Sequence, residues 1–320
     1  MMIQKIFFRK TFWLPLLSVL LLAGCETADD RSDCFAEAFV RFEYTLNSQR
    51  TDLFTEQADG VDLFVYDHSG TFITTVRALR QNGTLNGDNR VRLTLPHGEY
   101  RVVAWANLHH GDYDYVFDCP ISEKRVSLIA PANQVAGTPT ALMHGMANIT
   151  VNNKHNGQET TVSMTKNTND VSIVLNIEGR RGPAKADDFS VSVSGSNGAY
   201  RFDNTLAACD RLQYLGSRTL PATQVHQTDF RVLRLLESDD MHLDIDLGEA
   251  SRAGESITLP FSVSLTEEIL KHPEYNTTSD LDREDKYILE YTVDLSGETA
   301  VLILIKINDW NVIEQGGPLN

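Results

Sequence analysis

Apolar residues at every second position, interrupted at short intervals by turn-forming residues, constrain this chain more than any other feature. Val61, Leu63 and Val65 alternate up to Asp67-His68-Ser69-Gly70, and Phe72-Ile73 resume beyond it. Successive side chains of a strand point to opposite faces, so a period of two sets one apolar face on a core and leaves the other polar. The pattern predicts a hairpin here. Val91, Leu93 and Leu95 alternate into Pro96-His97-Gly98, and Tyr100, Val102 and Ala104 alternate out, a second predicted hairpin with a Pro-x-Gly turn. Residues 171–177, 189–193, 257–265, 287–295 and 300–307 read as further strands, the last two joined across Ser296-Gly297-Glu298. Val301-Leu302-Ile303-Leu304-Ile305 has no polar break, which predicts a strand buried on both faces. Helical signal is confined to residues 266–270, one or two turns capped by Thr266 and stopped by Pro273. Many short strands and few helices predict an all-β fold made of β-sandwiches.

At 320 residues the chain is long enough for two domains. Asn152-Asn153-Lys154-His155-Asn156-Gly157-Gln158 is polar and Asn-rich, and it separates two halves of similar size. The expected division is a sandwich over 34–158 and another over 159–320. Lys plus Arg number 28 against 44 Asp plus Glu, a formal charge of −16. A surface this acidic repels phosphate backbones and argues against a nucleic-acid partner.

The N-terminus carries an address. Lys5, Arg9 and Lys10 form a basic stretch, and residues 12–22 are apolar except for Pro15 and Ser18. That run is too short for a bilayer core of about 30 Å, which takes about 20 residues, and suits a signal peptide. It ends in Leu22-Ala23-Gly24-Cys25, the form of a bacterial lipobox, in which the cysteine is lipidated and becomes residue one. Residues 1–24 are therefore expected to be removed, deepening the charge to about −19. Two or three acyl chains on Cys25 would hold the protein on a membrane, since each buried CH₂ contributes about 0.8 kcal/mol. Residues 25–33 then form an acidic tether that cannot pack a core. Within it, Ala28-Asp29-Asp30 resembles the acidic signal that exports lipoproteins of Bacteroidota to the outer face of the outer membrane.

Export places the remaining cysteines, Cys34, Cys119 and Cys209, where disulfides can form. Pairing Cys34 with Cys119 would close a loop of about 86 residues, worth at most about 4–5 kcal/mol in the chain-entropy view. That pairing is expected, with Cys209 buried, free and inert in its apolar setting.

Chemistry-bearing patterns are sparse. His109-His110-Gly111-Asp112-Tyr113-Asp114 is the most metal-like cluster, but adjacent histidines on extended chain diverge, so a solvated loop is expected. Asp280-Leu281-Asp282-Arg283-Glu284-Asp285 lacks the glycine and the later glutamate of a calcium loop and reads as surface. Residues 239–246 alternate acid with apolar, as a half-exposed strand does. No Gly-x-Ser-x-Gly elbow, His-Glu-x-x-His or phosphate-binding glycine loop occurs. No catalytic residue, cofactor, metal site or small-molecule substrate is expected.

The order of several short motifs carries a resemblance. After the lipobox and tether come Asp33-Cys34 and Val40-Arg41-Phe42-Glu43-Tyr44. Val61-Asp62-Leu63-Phe64-Val65-Tyr66-Asp67 and Gly98-Glu99-Tyr100-Arg101-Val102-Val103-Ala104-Trp105-Ala106-Asn107 follow. Leu142-Met143-His144-Gly145, Val162-Ser163-Met164-Thr165-Lys166-Asn167-Thr168-Asn169 and Ile305-Lys306-Ile307-Asn308-Asp309-Trp310 complete the set. Together these resemble the fimbrium-anchoring subunits of Bacteroidota, within the fimbrillin superfamily, over nearly the whole mature chain. The resemblance implies two tandem transthyretin-like sandwiches, no enzyme activity and no cofactor. It implies a lipoprotein at the base of a fimbrium that tethers the filament and limits its length, with a stalk fimbrillin as partner. Joining would be by β-strand complementation. Stalk members carry a maturation cleavage after an early arginine; nothing marks Arg41 or Arg50 as such a site, which suits an anchor that keeps its first strand. The family supplies no binding residue by position. Trp105, Trp310 and Tyr100 are expected in the core, and Gly70 and Gly98 in turns. The competing reading is a surface lipoprotein that binds glycan or host matrix, a fimbrial-tip adhesin among its forms, through His109, His110, Tyr113, Tyr115 and Phe117.

Overall fold

The computed structural model describes residues 35–108, 115–116, 125–128, 130–152, 157–179, 189–246, 250–252, 255–257, 260–296 and 301–312. Five strands open the chain: β1 (Phe35–Glu43), β2 (Gly60–Asp67), β3 (Phe72–Leu79), β4 (Arg90–Pro96) and β5 (Gly98–Ala106). Short strands β6 (Tyr115–Val116), β7 (Arg125–Leu128) and β8 (Gln134–Ala136) precede β9 (Met143–Val151), β10 (Gln158–Ser163) and β11 (Thr165–Lys166). Then come β12 (Thr168–Glu178), β13 (Ser190–Gly195), β14 (Ala199–Arg201), β15 (Leu212–Leu215), β16 (Ser217–Ala222), β17 (Val225–Leu233) and β18 (His242–Asp246). The chain continues through β19 (Ala250–Arg252), β20 (Glu255–Ile257), β21 (Pro260–Ser264), β22 (Lys286–Asp294), β23 (Val301–Ile307) and β24 (Trp310–Asn311). Three helices of one or two turns, α1 (Phe54–Gln57), α2 (Leu265–Ile269) and α3 (Thr278–Arg283), complete the elements used below. The protein is all-β, as the alternation predicts.

Two pairs of facing sheets organise the strands. A three-stranded sheet, β10-β1-β4, faces the five-stranded β11-β9-β5-β2-β3. Ala36, Ala38, Val40 and Phe42 of β1 meet Val61, Leu63 and Val65 of β2 and Val102 and Ala104 of β5 in one core. A six-stranded sheet, β16-β17-β12-β22-β23-β24, faces β21-β18-β13-β15-β8. Val171, Ile173 and Leu175 of β12 pack there with Val191, Val193, Leu243 and Tyr214.

Several expectations change on contact with the topology. β2 and β3 form the predicted hairpin, closed by Gly70 at φ 83°. β4 and β5 do not: β4 pairs with β1, whereas β5 pairs with β2 and β9 in the opposite sheet. Alternation shows which side chains point inward but not which sheet a strand joins, and both faces of this core look alike in sequence. At the crossing Gly98 leaves room for the Tyr100 ring, which would lie 3.3 Å from a Cβ. Of the strand expected over 257–265, Ile257 ends β20, which pairs with β19; Pro260–Ser264 form β21 beside β18, and Leu265 begins α2. Ser264, not Thr266, caps that helix, accepting from the Glu267 N–H at 3.2 Å, while Thr266 donates to Asp239.

β22 and β23 do form a hairpin, but β23 is not buried on both faces. Val301 is 44% and Ile303 36% exposed, because the strand lies near the sheet margin and nothing described covers its outer face. Pairing also crosses position 158 in both directions. β10 and β11 join β1 and β9, and β7 and β8 reach over to β14 and β15.

Candidate functional site

The outer face of the sheet containing β2, β5 and β9 does not face water throughout. Alternate residues of these strands, Phe64, Tyr66, Val103 and Trp105, belong to the core of the C-terminal sheets. That explains why seven of the eight β2 residues are buried. Phe202 lies 5.2 Å from Phe64 and 5.8 Å from Tyr66 between ring centres, and Tyr200 lies 6.2 Å from Trp105. Such aromatic pairs contribute about 0.5–1.5 kcal/mol beyond the area they bury.

Polar groups tie the same junction. His144 of β9 packs on Trp105, with ring centres 4.7 Å apart, and its Nε2–H donates to the Phe202 carbonyl at 2.8 Å. Burial pushes this imidazole down to about 4, opposed by the Phe202 bond and assisted by nearby Arg234. Asn167 and Asn204 exchange side-chain amide bonds. Arg234 holds Asp282 by two parallel bonds of 2.6 and 2.7 Å and also donates to the Asn204 carbonyl. Asp285 accepts from Tyr44 at 2.9 Å and pairs with Lys166 at 2.6 Å.

The acidic stretch 280–285, expected on the surface, is thus a structural knot. Thr277 and Asp280 make a reciprocal capping box at the start of α3, and Asp282 is buried against Arg234. Sequence distance hid this: the partner cation is 48 residues away.

Beside the junction the uncovered part of the same sheet floors a groove of about 700 Å³. Three rungs of the β5–β9 pair set its chemistry: Val103 opposite Met146, Arg101 opposite Asn148, and Glu99 opposite Thr150. The Asp67–Gly70 turn closes one end, and Arg201, Phe202 and Asp203 form a wall. Asp67 Oδ1 accepts from the Ser69 N–H and hydroxyl and the Thr71 N–H, and Asp203 Oδ1 accepts from the Thr205 N–H and hydroxyl. These bonds favour the ionised forms and hold both carboxyls below the usual range. The groove fits the size of a ligand pocket and sits between packed units, where such pockets concentrate.

Residues singled out in the sequence fall elsewhere. Cys25, Cys34, Cys119, His109, His110, Tyr113 and Phe117 lie outside the described residues, so the lipidation and disulfide expectations rest on sequence alone. Tyr115 is core, 1% exposed and donating to the Thr140 carbonyl at 2.7 Å, and cannot serve as an exposed binding residue. Trp105 and Tyr100 are buried, and Trp310 is half-buried, 5.6 Å from His272. Cys209 is a free, half-buried thiol whose pKa burial pushes up. Among the described residues no group of three or more His, Cys, Asp or Glu side chains is placed to hold a metal ion. No described helix is long and apolar enough to cross a membrane. Sequence reasoning missed the groove, because its residues come from four separated segments and each looks like ordinary strand surface.

Two pairs of facing sheets, joined where the C-terminal core covers part of the outer face of the β2–β5–β9 sheet, define a multi-sheet all-β protein. The profile of the fimbrillin-A associated anchor proteins Mfa1 and Mfa2 matches residues 31–316, and the chain belongs to this family. The fold is shared with the fimbrial anchor protein Mfa2 of Porphyromonas gingivalis, at 17% identity and TM-score 0.67. That match covers 87% of this chain and 99% of that one. It is also shared with a candidate adhesin of Bacteroides thetaiotaomicron, at 20% identity and TM-score 0.68, covering 87% and 97%. A candidate polysaccharide-binding protein of the same organism matches at 19% identity and TM-score 0.70, covering 87% and 99%. Comparison of the sequence with curated proteins finds no match.

Proposed function

We propose that this chain is an outer-membrane lipoprotein, held through acyl chains on Cys25, that anchors a fimbrium at the cell surface and limits filament length. The observation that carries the reading is the membership of nearly the whole mature chain in the anchor family, directly downstream of a lipobox. A basal fimbrillin joins it by β-strand complementation, in which main-chain bonds supply affinity and alternate side chains specificity. The two sheet pairs act as tandem transthyretin-like units, with the chain passing from one to the other near residue 167, and residues 25–33 are the tether.

Negative-stain microscopy of a strain lacking the gene tests this, with filaments counted on cells and in the supernatant. Long, shed filaments are expected. Filaments of ordinary length that stay attached would remove the anchoring role and leave an adhesin in its place. A Cys25→Ser chain should move from the membrane fraction to the soluble one and reproduce the shedding.

A further inference from the structure

We propose that the groove over β5 and β9 seats an extended polypeptide segment of the fimbrial partner, one carrying an apolar side chain flanked by basic ones. This rests on the anchoring role above and names where and by what chemistry a partner is gripped.

The apolar end of the groove is Met146, 49% exposed while its rung neighbour Val103 and the wall residue Phe202 are buried. A large thioether left in the open beside an apolar core margin is a ready contact for an incoming side chain. Its three rotatable bonds let it adapt to the shape of that side chain. Charge sets what flanks the anchor. Glu99, Asp67 and Asp203 line the groove with Arg101 and Arg201. The two cations are engaged by their own chain: Arg101 reaches Asn148 Oδ1 at 3.5 Å, and Arg201 donates to the Leu206 carbonyl. Each carboxylate keeps an open position. Asp67 and Asp203 use Oδ1 to hold their own turns, which orients each group and leaves Oδ2 for a donor. Glu99 is exposed on the floor. Three carboxylates against two guanidinium groups, on a chain of net charge −16, give the groove a negative excess, matched by Lys or Arg.

Two other ligand classes fit worse. Sugar rings stack on open aromatic faces, but Tyr66, Tyr100 and Phe202 are buried here. Phosphate-bearing polymers meet three carboxylates and a chain of net charge −16. Both edges of β5 and one edge of β9 are paired along the floor, so the seated segment is gripped through side chains, as a contact additional to the strand that complements a sheet edge.

The test uses the full mature chain made soluble by Cys25→Ser. Its probes are two fluorescein-labelled ten-residue peptides with alternating Ile and Thr, one interspersed with Lys and the other with Glu. Fluorescence anisotropy should show the Lys peptide binding at least about tenfold more tightly than the Glu peptide, weakening as salt rises. Met146→Asp and Glu99→Lys, both at exposed positions, should each weaken it about fivefold or more, with an unchanged thermal melt. Equal binding of the two peptides, no binding, or binding indifferent to both substitutions overturns the proposal. In cells the arms separate. If gene deletion sheds filaments while Met146→Asp and Glu99→Lys strains keep them, the groove is wrong and the anchor reading stands. If deletion changes nothing, the anchor reading falls and the peptide titration alone decides the groove.

Discussion

Protonation of His144 should loosen the junction between the two sheet pairs, and its size can be worked from the structure. The imidazole is 6% exposed, packed on Trp105, and its one observed bond uses Nε2–H toward the Phe202 carbonyl. The neutral Nε2–H tautomer is therefore the native form. Burial lowers the folded pKa to about 4 from an unperturbed value of about 6.5. For a base held below its unfolded value, the folded state resists the proton that the unfolded chain accepts. Stability from this group is complete above about pH 6.5. It declines by about 1.4 kcal/mol per pH unit as the pH falls toward 4, and is then spent, a total of about 3 kcal/mol. Asp239 and Glu284, whose carboxyls burial pushes up, act in the opposite sense in acid. Arg234 and Asp203 face the ring as fixed charges. A single curve would mix all these groups, so the measurement is a difference. Urea midpoints of the soluble Cys25→Ser protein and of the same protein with His144→Gln are compared from pH 7.5 to 4.5. Gln can still donate to the Phe202 carbonyl but cannot titrate. The wild-type advantage should shrink by about 2–3 kcal/mol across that window. A difference that is flat with pH would show that His144 is accessible to protons in the folded state, and the account of the junction would be wrong.

Further outcomes follow from the same geometry. Asp282→Ala leaves Arg234 buried without its counter-ion and should cost about 3–5 kcal/mol in urea unfolding. Replacing both partners by apolar residues should recover most of that loss. Gly145→Ala would put a Cβ 2.6 Å from Val162 Cγ1 and 2.8 Å from the Ser163 carbonyl, so that strands β9 and β10 must part. A loss of about 1–3 kcal/mol is expected, read as a lower melting temperature. Cys209, half-buried with a raised pKa, should alkylate with iodoacetamide at pH 7.5 more slowly than an exposed cysteine and reach full rate in urea.

Local inward and outward pattern was legible in the sequence, and partnership was not. β1, β2, β4 and β5 bury the residues that alternation selects, because a period of two is a property of each strand alone. Whether β4 lies beside β5 or across the core from it depends on the whole sheet order, which no single strand encodes. The run 301–305 does not reveal its open margin, because apolarity on both faces is compatible with burial and with exposure, and only the neighbours decide. Asp282 conceals its burial for a related reason. An acidic residue in an acidic stretch looks solvated until the chain brings Arg234 to it. Trp105 and His144 belonged to recognisable motifs, yet their role at the junction needed the outer face of their sheet to be seen as covered. The groove left no mark at all, since Glu99, Met146 and Asp203 are ordinary outward positions in three unrelated segments.

The entry point of the tether bears on how a filament could be held. On the proposed attachment through Cys25, the first described residue that tension meets is Phe35, at the start of β1. That strand is the middle of its sheet, antiparallel to β4 from Phe35 to Arg41 and parallel to β10 from Ala38 to Glu43. A pull along β1 therefore shears two ladders together, and an edge strand would present only one. Near the end of β1 Phe42 is fully buried and stacked on Phe54 at 5.6 Å, and Tyr44 follows with its hydroxyl on Asp285 of the other half. Load entering at Phe35 thus passes within ten residues to the C-terminal sheets through Asp285, which Lys166 also grips. An anchor built this way resists extraction through many modest bonds loaded in parallel. Removing the Tyr44 hydroxyl alone should leave the fold intact and lower only the force at which the two halves part.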